Sequence, residues 1–468
     1  MDKHSGYSRD VLMQGIARIS GGVLSFVAIF LLTYLFDEGT IGEYNLVLST
    51  MHIITSIATL WLSQSILRFY QDVKDLGSIL IMTGCSAVIS LAGYFVYILV
   101  SDISINIWAV LFVVITVLYN VFDAVFRKKR ELKEYVTLEI LLAIGRLFPM
   151  VIIAILTKSY NSVFLSQTFV MTVFFLVLVI RRKDAIANTS FSFNRDHFSQ
   201  FLRYGLPLVG LSISNWFLST SDRYIIKFWG DNVAVGIYSQ NYSLANSIYM
   251  MFALILVNAM HPIIINMWEK DKSEAIQTVS KTMDLYMVFM VPLVFYGCLK
   301  SRVLLSIFKG SLYSAHNDIF VWTALGIFVY GISLLCHKYY ECTGKTNQIL
   351  IINIIAALFN LVSNYLLIPI CGFQVAALTT FLSYLLYIVV VRARTWIKFK
   401  IRINIKNGAL ILGSVIIFWL LDAFFVKANN LLSFFIEGVI YVLYTAVFYQ
   451  IFKVYDVKSA VLKVAKRR

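Results

Sequence analysis

The chain has 468 residues, of which 59% are hydrophobic and 14% charged, and it carries a formal net charge of +15. A soluble domain has about 25% charged residues, and the apolar residues here gather in runs of about twenty, the length that crosses a bilayer as a helix. Composition therefore excludes a soluble domain and a strand barrel, whose segments are short and alternating. It also assigns the positive charge to membrane topology, with no nucleic acid as partner.

Fourteen spans are predicted in chain order: Val11–Leu35, Ile41–Ser63, Gly77–Val100, Ile105–Phe126, Tyr135–Thr157, Ser162–Ile180, Leu206–Trp229, Val233–Asn258, Met283–Phe308, Ile319–His337, Gln348–Ile370, Gln374–Val391, Asn407–Val426 and Leu431–Phe452. The expected fold is an all-α polytopic membrane protein. The first apolar run is too long for the apolar region of a signal peptide and is read as an uncleaved span. An even number of spans puts both termini on one side. That side carries 31 of the 40 Lys and Arg residues, the links and adjoining span ends of the other side carry 7, and two, Arg18 and Arg146, lie deeper inside spans. The bias assigns the rich side to the cytoplasm. Arg127–Arg130, Arg181–Lys183 and Arg392–Lys406 are the main basic links, and membrane lipid headgroups are their expected contacts.

The five cysteines are scattered, with no CxxC pair, so neither a metal site nor a disulfide framework is expected. No phosphate-cradling GxxxxGK[ST] loop is present and no cofactor is implied. No outer link exceeds about twenty residues. An embedded polymerase or acyltransferase would need an external catalytic loop or a buried His/Asp constellation. His261 and His337 are read as lone structural histidines near span ends, so the chain is not expected to be an enzyme.

The two halves repeat. A shift of 194 residues lays Asp37 on Asp231, Gly42 on Gly236, Tyr44 on Tyr238 and Ser49 on Ser243. The same shift lays Arg18, Gly22 and Ser25 on Ser212, Trp216 and Ser219. A shift of 214 lays Glu139, Ala143, Arg146 and Met150 on Asn353, Ala357, Asn360 and Asn364. Six spans separate equivalent points, so the halves run parallel. Such repeats meet at a central cavity. The expected division is residues 1–184 (spans one to six), 185–398 (spans seven to twelve) and 399–468, a terminal helix pair with a basic tail.

The segments GLPL, SDRYII and GIYSQNYSLA, between Gly205 and Ala245, resemble the seventh and eighth helices of Wzx-type polysaccharide-repeat flippases. These belong to the multidrug/oligosaccharidyl-lipid/polysaccharide exporter superfamily. GEYNLVLST in span two is similar to the first-half copy, as is the basic RKKRELKEY link. The resemblance implies export of an undecaprenyl-pyrophosphate-linked oligosaccharide by alternating access, from the inner to the outer leaflet of a bacterial inner membrane. It implies surface polysaccharide such as O-antigen as the product, a proton or sodium gradient as the drive, and the polysaccharide polymerase and chain-length machinery as further partners. A multidrug exporter of the same superfamily and a peptidoglycan-precursor flippase are the alternatives. Trp61 departs from the pattern, which commonly has Gly there.

Arg18 and Arg146 lie inside spans, where an arginine costs about 2.5–3.5 kcal/mol on insertion scales. Arginine binds phosphate bidentately, so these two, with Arg68 at the end of span two, are the expected pyrophosphate ligands. The alternative is helix packing, internal pairing or topology anchoring. His52 and Thr59 on span two, Ser212, Asn215 and Ser219 on span seven, and Asn353, Asn360 and Asn364 on span eleven form polar stripes suited to sugar hydroxyls. The competing role is hydrogen bonding between helices. Glu139, Asp222 and Arg223 are the expected coupling or gating residues.

Overall fold

The computed structural model describes residues 23–24, 26–70, 76–100, 106–127, 132–181, 183, 193–402, 404–422 and 430–455. Among these no strand occurs. Fourteen principal helices follow in order: α1 (Phe26–Leu35), α2 (Glu38–Phe69), α3 (Leu76–Val100), α4 (Ile107–Arg127), α5 (Leu132–Thr157), α6 (Asn161–Arg181), α7 (Arg195–Trp229), α8 (Asn232–Lys270), α9 (Lys272–Leu299), α10 (Asn317–Cys336), α11 (Thr346–Cys371), α12 (Val375–Thr395), α13 (Ile405–Asp422) and α14 (Leu431–Ile451). Short helical turns at Ser301–Leu305, Ser311–Ala315 and Lys338–Cys342 flank α10. Twelve helical segments are long and apolar enough to cross a membrane; α1 is a shorter apolar helix and α7 a longer, more polar one. The all-helical fold and the span count agree with the sequence.

The chain divides into two compact units between Ser239 and Gln240, within α8. In the first, α2 packs on α3, α4 and α7, and α6 packs on α4 and α5. Its core gathers Met51, Leu62 and Ile66 of α2 with Met82, Val121 and Met171. In the second, α10 and α11 pack on α12, and α9 packs on α10, α13 and α14. Large side chains such as Ile370, Leu432 and Val442 stand exposed. A water-soluble surface would not carry them on so many helices; a bilayer accepts them.

Two repeat-related turns shape the first unit. Asp37 caps α2, its Oδ1 accepting from the Thr40 N–H at 2.9 Å, and Asp231 accepts from the Ala234 N–H at 2.8 Å at the start of α8. One turn on, the two helices cross at glycines. A Cβ on Gly42 would lie 1.9 Å from the Asn232 carbonyl oxygen, and one on Gly236 would lie 1.9 Å from that of Glu38. The contacts are reciprocal at the 194-residue shift. The sequence repeat is therefore a geometric repeat here, and only glycine permits so close an approach.

Candidate transport site

In the first unit α2 lies against α7 along its length. Trp216 donates its Nε1–H to the Ser49 carbonyl at 3.0 Å, and Thr50 shares a 2.5 Å hydrogen bond with the Tyr224 hydroxyl. Further along, Ser65 donates to the Phe201 carbonyl at 2.9 Å. There the Trp61 backbone leaves no space for any side chain larger than Gly205, since a Cβ would come within 2.4 Å. Arg68 is exposed and stacks its guanidinium 4.7 Å from the centre of the Tyr204 ring.

This packing brings expected residues together. His52 on α2 is exposed and within electrostatic reach of both Arg146 on α5 and Arg223 on α7. Arg146 points one Nη at Met171 Sδ, 2.9 Å away. Its buried Nε meets no hydrogen-bond acceptor among the described residues. Glu139, half-buried two turns away, and Tyr119 are the groups whose charge bears on it. A thioether is a poor partner for a guanidinium, so Arg146 retains capacity for an anion.

Other expected residues are committed to the protein. Asp222 and Arg223 are buried inside α7, which continues to Trp229. They do not end a helix at a surface. Asp222 accepts from the Tyr238 hydroxyl, and Arg223 Nε donates to Ser239 Oγ at 3.0 Å. Thr59 is buried and donates to the Thr55 carbonyl. On the α7 stripe Asn215 is exposed, Ser212 is half-buried, and Ser219 donates to the Asn215 carbonyl. Arg18, with its neighbours Gly15, Gly22 and Ser25, lies outside the described residues.

In the second unit Asn353, Asn360 and Asn364 are all buried. Asn360 donates to Thr380 at 3.1 Å, Asn364 donates to Asn360 at 3.2 Å, and Asn364 accepts from Thr379. Asn360 and Asn364 thus bind α11 to α12, the alternative role for this stripe, and none of the three is on an open surface. Two features are absent from the sequence reading. His261 and His337 are not lone, because both meet Glu341. The HKYYE segment holds the signal, with His337 and Lys338 four and three residues before Glu341. The second feature is an apolar groove of about 1370 Å³, lined by Phe252 and Leu256 of α8, Leu293 and Tyr296 of α9, and Val439 and Ala446 of α14.

The geometry defines a polytopic helical protein with a cationic site in one unit and an apolar groove in the other. The profile of the polysaccharide biosynthesis protein family matches residues 76–318, and the chain belongs to that family. A search of curated proteins finds no match. Among solved structures the chain is similar to the lipid II flippase MurJ in an inward closed conformation, with a TM-score of 0.75 at 14% identity over 94% of this chain and 98% of that one. It is similar to a multidrug resistance MATE family transporter of the MOP superfamily in an inward-facing conformation, with a TM-score of 0.58 at 13% identity over 81% and 98%. It is also similar to the Vibrio cholerae MATE transporter VcmN in a bent form, with a TM-score of 0.53 at 14% identity over 84% and 98%. The flippase resemblance seen in the sequence agrees with the family and with this shared fold.

Proposed function

We propose that the protein flips an undecaprenyl-pyrophosphate-linked oligosaccharide across a bacterial inner membrane, for surface polysaccharide such as O-antigen. The apolar groove carries this reading. A polyprenyl chain needs a long apolar surface, whereas a small amphiphilic drug does not, and transferring each CH₂ out of water contributes about 0.8 kcal/mol. Membership of a polysaccharide family supports a sugar cargo. Arg146, whose buried Nε meets no acceptor among the described residues, suits the pyrophosphate. Arg18 and the exposed Arg68 are further ligands in this proposal. His52, Asn215 and Ser212 supply polar groups for sugars, and Glu139, Asp222 and Arg223 are proposed to act in coupling or gating. The polysaccharide polymerase and chain-length machinery are the proposed downstream partners.

Purified protein in liposomes tests this, with a fluorescent undecaprenyl-pyrophosphate oligosaccharide scored by access of an external glycan-binding protein. Flipping by the wild type and its loss in Ala446→Trp, which fills the groove, are expected. Flipping of a cationic dye but not of the lipid-linked glycan would make the chain a drug exporter. Rescue of a strain lacking its lipid II flippase would assign it to peptidoglycan precursors.

A further inference from the structure

Helix α10 breaks at His337, before the turn Lys338–Cys342, although Asn317–Cys342 as a whole is apolar enough to cross a membrane. Four ionisable side chains meet at this break. Lys338, almost fully buried, holds Glu341 Oε2 at 2.5 Å and His261 Nδ1 at 2.8 Å. His337 lies between two oxygens, with Nε2 3.2 Å from Glu341 Oε1 and Nδ1 2.8 Å from the Tyr387 hydroxyl of α12. His261, from α8, also approaches Glu341 Oε2 at 3.1 Å.

Proton accounting separates the two histidines. With both neutral, Lys338 donates to His261 Nδ1 and to Glu341, while His337 donates Nε2–H to Glu341 and accepts the Tyr387 O–H at Nδ1. The ion pair is then balanced and these four hydrogen bonds are made, while the 3.1 Å approach of His261 Nδ1 to Glu341 Oε2 sets two acceptors side by side. A proton added at His261 Nδ1 could be donated to Glu341 Oε2, 3.1 Å away, but it would remove the acceptor of Lys338 and set two cations 2.8 Å apart. A proton added at His337 Nδ1 costs no hydrogen bond. The Tyr387 O–H rotates, its oxygen becomes the acceptor, and no covalent bond of tyrosine breaks. His337 therefore changes the cluster's charge by one while every contact persists. The other titratable groups acting at this point are Tyr330, Tyr340, Cys336 and Cys342 from the same stretch, with Arg392 and Arg394 from α12. Glu341 and His261 are the members open to solvent.

We propose that His337, held between Glu341 and Tyr387 at the α10 break, is the proton-binding site through which transport draws on a proton gradient. This rests on the transporter reading above. The test uses the full-length protein in liposomes with the same fluorescent polyprenyl-linked glycan and an imposed pH difference. A one-unit difference changes proton activity tenfold, so occupancy of a single site changes by up to about tenfold. Wild type should respond severalfold to reversal of the gradient. His337→Gln, which fills the same space but takes no proton, should flip at a rate indifferent to it. Tyr387→Phe should weaken the response and carries the test if His337→Gln aggregates. A full gradient response in both variants overturns the proposal. If the wild type flips no glycan, the transport reading fails, and the site is decided by ¹⁵N imidazole spectra: a resonance lost in His337→Gln must titrate reversibly in wild type, and one that does not titrate overturns it.

Discussion

At the scale of single residues, charge placed where an apolar helix is expected is the most informative signal. Arg146 was legible for that reason alone, and the structure gives it a sulfur contact and a buried nitrogen without an acceptor among the described residues. An Arg–phosphate contact near 4 Å is worth on the order of 4 kcal/mol at an effective dielectric of 20, before desolvation is subtracted. Arg146→Ala is therefore expected to abolish most flipping at normal protein levels, and Arg146→Lys to keep part of it. Full complementation of a flippase-null strain by Arg146→Ala would reduce this residue to packing. The Asn353, Asn360 and Asn364 stripe was equally legible as polar. Which neighbour would absorb it was not, because Thr379 and Thr380 lie on another helix. Asp37 gives a pH-dependent case. The Thr40 backbone N–H holds its carboxylate below the ordinary value. Its contribution is present above the unfolded carboxyl pKa and lost as pH falls through the lower folded one. Asp37→Ala should cost the α2 start about 1 kcal/mol. Amide exchange in the first turn of α2, corrected for intrinsic rate, should rise on acidification in wild type. In Asp37→Asn that acid step should be absent.

At the scale of elements, span count and helix order were legible from hydropathy, since a spanning helix must satisfy its own backbone. The break in α10 was not, because a turn inside an apolar run leaves the hydropathy unchanged. The repeat was legible at Gly42 and Gly236 as a match of letters, and the structure explains the match as one crossing seen from both helices. Gly42→Ala and Gly236→Ala should each cost about 1–3 kcal/mol, since a backbone carbonyl must move to admit the methyl group. The first substitution already separates the helices, so the double variant should cost less than the two singles together. Thermal melts in detergent decide this, and strictly additive shifts would mean that the two glycines do not share a contact. In the second unit Lys300 follows α9 and pairs with Asp422 at the end of α13 (2.7 Å) and Glu437 of α14 (2.8 Å). Lys300→Met should cost about 3–5 kcal/mol, because two carboxylates then face each other uncompensated. Lys300→Met combined with Asp422→Asn and Glu437→Gln should recover most of that loss in the same melts.

At the scale of the whole molecule, orientation follows from a rule about chain insertion and not from packing. Cationic links resist translocation, so the face with more Lys and Arg stays in the cytoplasm. The link between predicted spans twelve and thirteen belongs to the rich face, with Arg392, Arg394, Lys398, Lys400, Arg402 and Lys406 between Val391 and Asn407. The α1–α2 link around Asp37 and the α7–α8 link around Asp231 belong to the poor face. Six predicted spans separate these two aspartates, and six is even, so both are expected on one side. The reciprocal Gly42 and Gly236 contact, about one turn past these caps, independently brings the two helix starts together. The expected orientation places Asp37 and Asp231 outside and Lys400 in the cytoplasm. Single cysteines tell the sides apart once the five native ones, two of them exposed at Cys85 and Cys371, have been replaced. In intact cells a membrane-impermeant maleimide should label Lys400→Cys only after the membrane is permeabilised. It should label Asp231→Cys without permeabilisation. Labelling of Asp231→Cys and Asp37→Cys from opposite sides would break the even span count between them. Labelling of Lys400→Cys in intact cells would reverse the orientation while leaving the count intact, and flipping would then run from the face opposite to the one proposed.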